Sequence, residues 1–147
     1  GGYVSGSEDL RRFAFNKSRT WLLSASHPPP VTAACIAALE VVDTEPVHLE
    51  NLWRNTAYFK KELKDLGFDI GNSQTPITPV IVGESSVAQE MSALLYEEGF
   101  FALPIIFPMV ARDKARIRTM MNSGHTKADL DTALAAFEKI GRKLKIL

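Results

Sequence analysis

Apolar residues in this 147-residue chain recur at helical spacing in five segments and cluster at strand length in about three. A short helix is predicted over residues 8–15. Trp21-Leu22-Leu23 reads as a brief extended apolar run, followed by Ser24-Ala25-Ser26-His27 and the triplet Pro28-Pro29-Pro30. Proline is accepted in the first turn of a helix and excluded from its interior, so a helix is expected to start there. Over residues 30–42 it is apolar nearly all round, which predicts a buried helix. Such a helix needs partners on every side, and 147 residues offer few. That points to another domain or subunit.

A second long helix is predicted from Pro46 to residue 66. Leu49, Leu52, Trp53, Thr56, Phe59, Leu63 and Leu66 form its inner face, Lys60, Lys61 and Lys64 stay in water, and Gly67 supplies the stop. Residues 77–82 read as a strand in which Pro79 removes one ladder donor and argues for an edge position or an irregular start. Ser86 with Gln89 suggests a capping box for a helix ending near Gly99. Residues 100–106 and 115–121 read as two further strands. Thr126 and Asp129 open a last helix whose face is Leu130, Ala133, Leu134, Phe137, Ile140 and Leu144. This order of helices and strands predicts an α+β fold in which helices cover a small sheet.

Composition narrows the classes. Seventeen basic residues balance seventeen acidic ones, without the positive excess that nucleic-acid binding brings. The single cysteine, Cys35, excludes an intramolecular disulfide and fits a reducing cytoplasm; inside its Ala-rich helix it reads as a small buried hydrophobe. No apolar run approaches the roughly 20 residues that span a bilayer. His27, His48 and His125 are scattered, and none stands at metal-ligand spacing. His48 falls in a solvated first turn, and His125 precedes a helix cap as a local hydrogen-bonder. Glu62, Glu97 and Glu98 read as wet helix faces. No phosphate loop or dinucleotide fingerprint is present.

The strongest chemical signal is Ala115-Arg116-Ile117-Arg118-Thr119-Met120. On a strand, Arg116 and Arg118 project from one face about 7 Å apart while Ile117 turns into the core. A guanidinium presents a rigid fork of donors that suits a carboxylate or phosphate, so the pair is either an anion-holding site or a set of ordinary salt bridges on an exposed sheet. Ser24 and Ser26 could likewise offer hydroxyls to an anion or merely cap the helix that follows.

Five separated motifs occur in a characteristic order: Gly1-Gly2-Tyr3-Val4-Ser5-Gly6; Leu23-Ser24-Ala25-Ser26-His27-Pro28-Pro29; residues 67–80, with Gln74-Thr75-Pro76-Ile77; Ala115-Arg116-Ile117-Arg118; and His125-Thr126. Together they resemble the C-terminal part of the α-oxoamine synthases, fold type I enzymes that use pyridoxal 5'-phosphate (PLP) to condense an amino acid with an acyl-CoA. The resemblance implies a small, mostly antiparallel sheet covered by helices. It assigns residues 1–45 to the tail of a large PLP domain with its linking helix, packed on that missing domain, and residues 46–147 to a C-terminal small domain. It is nearest to the glycine C-acetyltransferase branch (2-amino-3-ketobutyrate CoA ligase), which joins glycine to acetyl-CoA, and the 8-amino-7-oxononanoate synthase branch is the alternative. A stand-alone carboxylate-binding or interaction domain is the reading from another class.

Residue by residue, the resemblance gives Arg118 the grip on the amino-acid carboxylate. It gives Ser24 and Ser26 the contact with the cofactor phosphate across a homodimer interface, and it leaves Arg116 a structural ion pair. Ala25, where the family often has Thr, and His27, where it is usually apolar, depart from the pattern and leave open which serine makes that contact. The lysine that bonds the cofactor would precede Gly1, since Lys17 lies on the wrong side of the Gly-Gly-Tyr turn. The chain alone is then expected to be inactive, and no metal, nucleic acid or membrane partner is implied.

Overall fold

The computed structural model describes residues 4–25 and 27–147. The chain consists of two compact units, Gly1–Pro46 and Val47–Leu147. In the first, α1 (Glu8–Lys17) starts at Ser7, whose hydroxyl accepts from the Leu10 N–H. Its first-turn Glu8 pairs with Arg11 and Arg12. A single helical turn, α2 (Arg19–Leu22), occupies the segment expected to be extended. Three apolar residues cannot specify a strand without a sheet neighbour, and the Leu23 N–H closes onto the Arg19 carbonyl at 2.8 Å instead. The last helix of this unit, α3 (Pro29–Thr44), has prolines in its first turn, as the sequence requires.

Nothing among the described residues of the first unit buries α3. All of its residues are exposed, Cys35 included. The helix is apolar on all sides, with Val31, Ile36, Leu39, Val41 and Val42 open to solvent.

In the second unit, α4 (Val47–Leu66), β1 (Ile77–Gly83), α5 (Ser85–Glu97), β2 (Leu103–Ile105), β3 (Ala115–Met120) and α6 (Lys127–Lys143) follow in order. The sheet order is β1-β3-β2, and β3 runs antiparallel to both neighbours. Pro79 therefore sits on an edge strand, where its missing N–H costs no central ladder bond. Helix α5 packs on the strands and on α6, and α6 packs on α4. Phe59, Leu63, Val80, Met91, Leu95, Ile117 and Phe137 fill the space between helices and sheet, with Phe59 and Phe68 each set edge-on to Phe137. Gly67 and Gly99 take positive φ values of 104° and 89° where their helices were predicted to stop.

Two boundaries differ from expectation. Helix α5 begins at Ser85 behind Glu84, with no side-chain cap, because the Ser86 hydroxyl turns to the Glu84 carboxylate instead of the backbone. Strand β2 covers only Leu103–Ile105, since residues 100–102 diverge from β3 toward the helices. No helix among the described residues is long and apolar enough to cross a membrane.

Candidate functional site

Alternation along β3 divides its side chains as the sequence demanded. Ala115, Ile117 and Thr119 are buried against the helices, and Arg116, Arg118 and Met120 project from the opposite face. Cross-strand register sets Pro79 and Leu103 beside Arg118, and Ile81 and Ile105 beside Arg116. The two guanidiniums thus rise from a sheet face that is otherwise apolar, opposite the face on which the helices of the second unit pack.

Arg116 is half-buried, and its Nε donates to the Lys114 carbonyl at 3.0 Å. Arg118 is exposed. Among the described residues neither guanidinium has a carboxylate partner, so the structural ion pair expected for Arg116 is absent. Glu98 pairs instead with Lys139, and Asp129 is held by Thr126.

The pair borders an open surface cavity of about 360 Å³, lined also by Ser73, Thr75, Ile77, Pro79, Ile105 and Val110. The loop holding Ser73 and Thr75 is tied to itself by hydrogen bonds. The Ser73 hydroxyl donates to the Ile77 carbonyl, and the Ile77 N–H donates to Thr75 Oγ1 at 3.3 Å. Arg118 also borders a second, mainly apolar cavity of about 290 Å³, which opens where residues 99–102 leave β3 and is floored by Phe59, Leu130 and Phe137. A ligand with an acid group and a short apolar part would find donors on one side of Arg118 and hydrocarbon on the other.

His125 lies at the rim of the apolar cavity, and its ring is tied to the turn before α6, with Nε2 2.9 Å from Asn122 Nδ2. This is the local hydrogen-bonding role read from the sequence. Asn55, buried inside the core face of α4, donates to the carbonyls of Asn122 and His125 at 3.1 and 2.8 Å. Its importance was not legible, because a polar residue between Trp53 and Thr56 carries no periodic signal.

Lys60 corrects another expectation. It is half-buried, and its ammonium donates to Ser73 and Thr75 in the cavity wall. Burial, reinforced by the nearby Lys64 charge, holds its pKa below the usual lysine range.

Ser24 lies in the first unit, exposed between α2 and α3; Ser26 lies outside the described residues, as does the Gly1-Gly2-Tyr3 turn.

Comparison with known proteins gives these features a context. The sequence profile described as "Aminotransferase class I and II" matches residues 1–137. An 8-amino-7-oxononanoate synthase from Symbiobacterium thermophilum is 53% identical over all 147 residues, which make up 38% of its length. A protein from Thermus thermophilus named 8-amino-7-oxononanoate synthase/2-amino-3-ketobutyrate coenzyme A ligase is 52% identical over the same span, 37% of its length. The chain thus spans little more than a third of these relatives. A solved structure described as "SPT with PLP" has the same fold over 98% of this chain and 36% of its own, with a TM-score of 0.85 at 24% identity. By its sequence profile and its relatives, the chain belongs to the aminotransferase class I and II family, in its α-oxoamine synthase branch.

Proposed function

We propose that this chain is the C-terminal part of a homodimeric, cytoplasmic, PLP-dependent C-acyltransferase that condenses an amino acid with an acyl-CoA. On this reading residues 1–45 end the large PLP domain and provide its linking helix, and residues 46–147 form the small domain. The observation that carries it is the Arg118 guanidinium, standing on the sheet face opposite the helices of its unit, without a carboxylate of its own, beside a cavity lined by hydroxyls.

The residues present suit that role. A guanidinium facing Ser73 and Thr75 supplies donors for a substrate carboxylate, and a charge-assisted pair of this kind contributes roughly 1.5–3 kcal/mol. Anchoring the carboxylate fixes the rotation of the amino acid about Cα, so that the bond to be broken is held in one orientation; this is catalysis by positioning. When bound, PLP would supply the electron sink for the pair left at Cα. The Ser24 hydroxyl, just ahead of a helix N-terminus, suits a cofactor phosphate of the partner subunit, with Ser26 as its companion. The apolar surface of α3 suits burial against the remaining domain and the second subunit.

The bonding lysine falls outside this chain in the proposal. Lys61, Lys127 and Lys139 are paired with carboxylates, and Lys60 is held by backbone carbonyls. The 147 residues alone would then be inactive.

On acyl choice, the names of the relatives move the reading from glycine C-acetyltransferase toward 8-amino-7-oxononanoate synthase. The double name of the Thermus relative keeps the glycine and acetyl-CoA reaction as a second reading. Turnover by the whole protein with pimeloyl-CoA against acetyl-CoA tests this. A preference for pimeloyl-CoA by kcat/KM supports the synthase. A preference for acetyl-CoA with glycine supports the second reading, and no release of CoA with either overturns both.

A further inference from the structure

Lys60 is placed by its helix on the flank of the buried Phe59 and, by periodicity, belongs in water. It folds back instead. Its Nζ lies 2.8 Å from the Ser73 carbonyl, 2.7 Å from the Thr75 carbonyl and 3.3 Å from Ser73 Oγ. An ammonium has three N–H donors, and all three acceptors here belong to a three-residue stretch of loop. No carboxylate shares this charge among the described residues. The charge is balanced by carbonyl dipoles alone, in a setting that is partly desolvated. A surface salt bridge would have been the less costly arrangement for a lysine on an exposed helix, and neighbouring Lys61 makes one with Asp65.

The loop so held is the cavity wall that faces Arg116 and Arg118. Carbonyl oxygens directed into that cavity would repel a carboxylate. Drawn onto the Lys60 ammonium, those of Ser73 and Thr75 are turned to a cation and their lone pairs are occupied. We propose that Lys60 is a positioning residue for the anion site. Its ammonium keeps the carbonyls of Ser73 and Thr75 out of the cavity, so that a substrate carboxylate there meets the guanidinium donors without opposing carbonyl lone pairs. Phe59, the preceding residue, floors the apolar cavity on the other side of Arg118, so one turn of α4 shapes the surroundings of that guanidinium from both sides.

This rests on the cavity being the site of the amino-acid carboxylate, and the test separates the two claims. In the whole protein, Lys60→Met, Lys60→Arg and Arg118→Lys are compared for the KM of the amino acid, the KM of the acyl-CoA, kcat and thermal midpoint. Lys60→Met is expected to raise the amino-acid KM about tenfold and leave the acyl-CoA KM within about twofold; Lys60→Arg, which also donates to two carbonyls, restores most of the loss. If Arg118→Lys raises the amino-acid KM and Lys60→Met does not, the positioning role is overturned and the carboxylate site stands. If neither changes it, both fall. An equal rise in both KM values with a lowered midpoint would mark Lys60 as merely structural and overturn the proposal. Should Lys60→Met fail to fold, Lys60→Gln, which keeps donors but loses charge and reach, is read by the same criteria.

Discussion

The side-chain amide of Asn55 donates to the carbonyl of His125 at 2.8 Å across 70 residues of sequence, and to that of Asn122 at 3.1 Å. One buried amide thus fixes the turn between β3 and α6 to the middle of α4. Asn55→Leu would leave both carbonyls without these donors, at a cost of about 1–3 kcal/mol. Urea unfolding of the 147-residue chain, read as a shift in midpoint at constant slope, measures this. The His125 ring signals would shift in the same variant, because the turn that holds the ring is released.

Gly141 sits on the buried side of α6, where a Cβ would lie 2.7 Å from Phe68 Cζ and 3.0 Å from two side-chain atoms of Leu147. In an exposed helix, alanine would stabilise relative to glycine by about 1 kcal/mol. Here overpacking against an aromatic ring already set edge-on to Phe137 outweighs propensity. Gly141→Ala is expected to destabilise by about 1–3 kcal/mol, and a gain in stability would show that this contact is soft.

The start of α6 is a reciprocal cap. Thr126 Oγ1 accepts from the Asp129 N–H at 3.2 Å, and the Asp129 carboxylate accepts from the Thr126 N–H at 2.8 Å. Thr126→Ala should cost about 1 kcal/mol. The Asp129 carboxyl is held below the ordinary carboxylate range, first by the Thr126 hydroxyl and then by the Thr126 N–H. A depressed folded-state pKa means that its contribution is complete above the unfolded value, near 3.9, and disappears as pH falls through the lower folded value. Asp129→Asn should therefore lower the thermal midpoint clearly at pH 7, with the gap to the parent chain narrowing below about pH 4.

Much of this was readable from residue order. The β3 alternation placed Ile117 in the core and both arginines on one face, because a strand allows only two directions for a side chain. Thr126 with Asp129 announced the cap of α6, and Gly67 and Gly99 the ends of α4 and α5. Lys60 was not readable: helix periodicity ranks it with Lys61, and only the return of the chain at Ser73 brings acceptors within reach. Residues 100–106 carried a strand composition, but whether a ladder forms depends on how long β3 stays alongside. For α3 the sequence reported an apolar helix correctly, and the described residues leave it uncovered. Burial depends on what covers the helix, and within this chain Ile36 and Leu39 remain open.

The account depends most directly on Arg118 holding the acid group of the amino-acid substrate, and the KM for that substrate in the whole protein is the measurement closest to it. Arg118→Lys keeps the positive charge but loses the two-pronged fork, so KM is predicted to rise by roughly 10- to 100-fold, equivalent to about 1.5–3 kcal/mol, with the KM for acyl-CoA little changed. An Arg118→Lys protein with the parent's amino-acid KM would contradict the account.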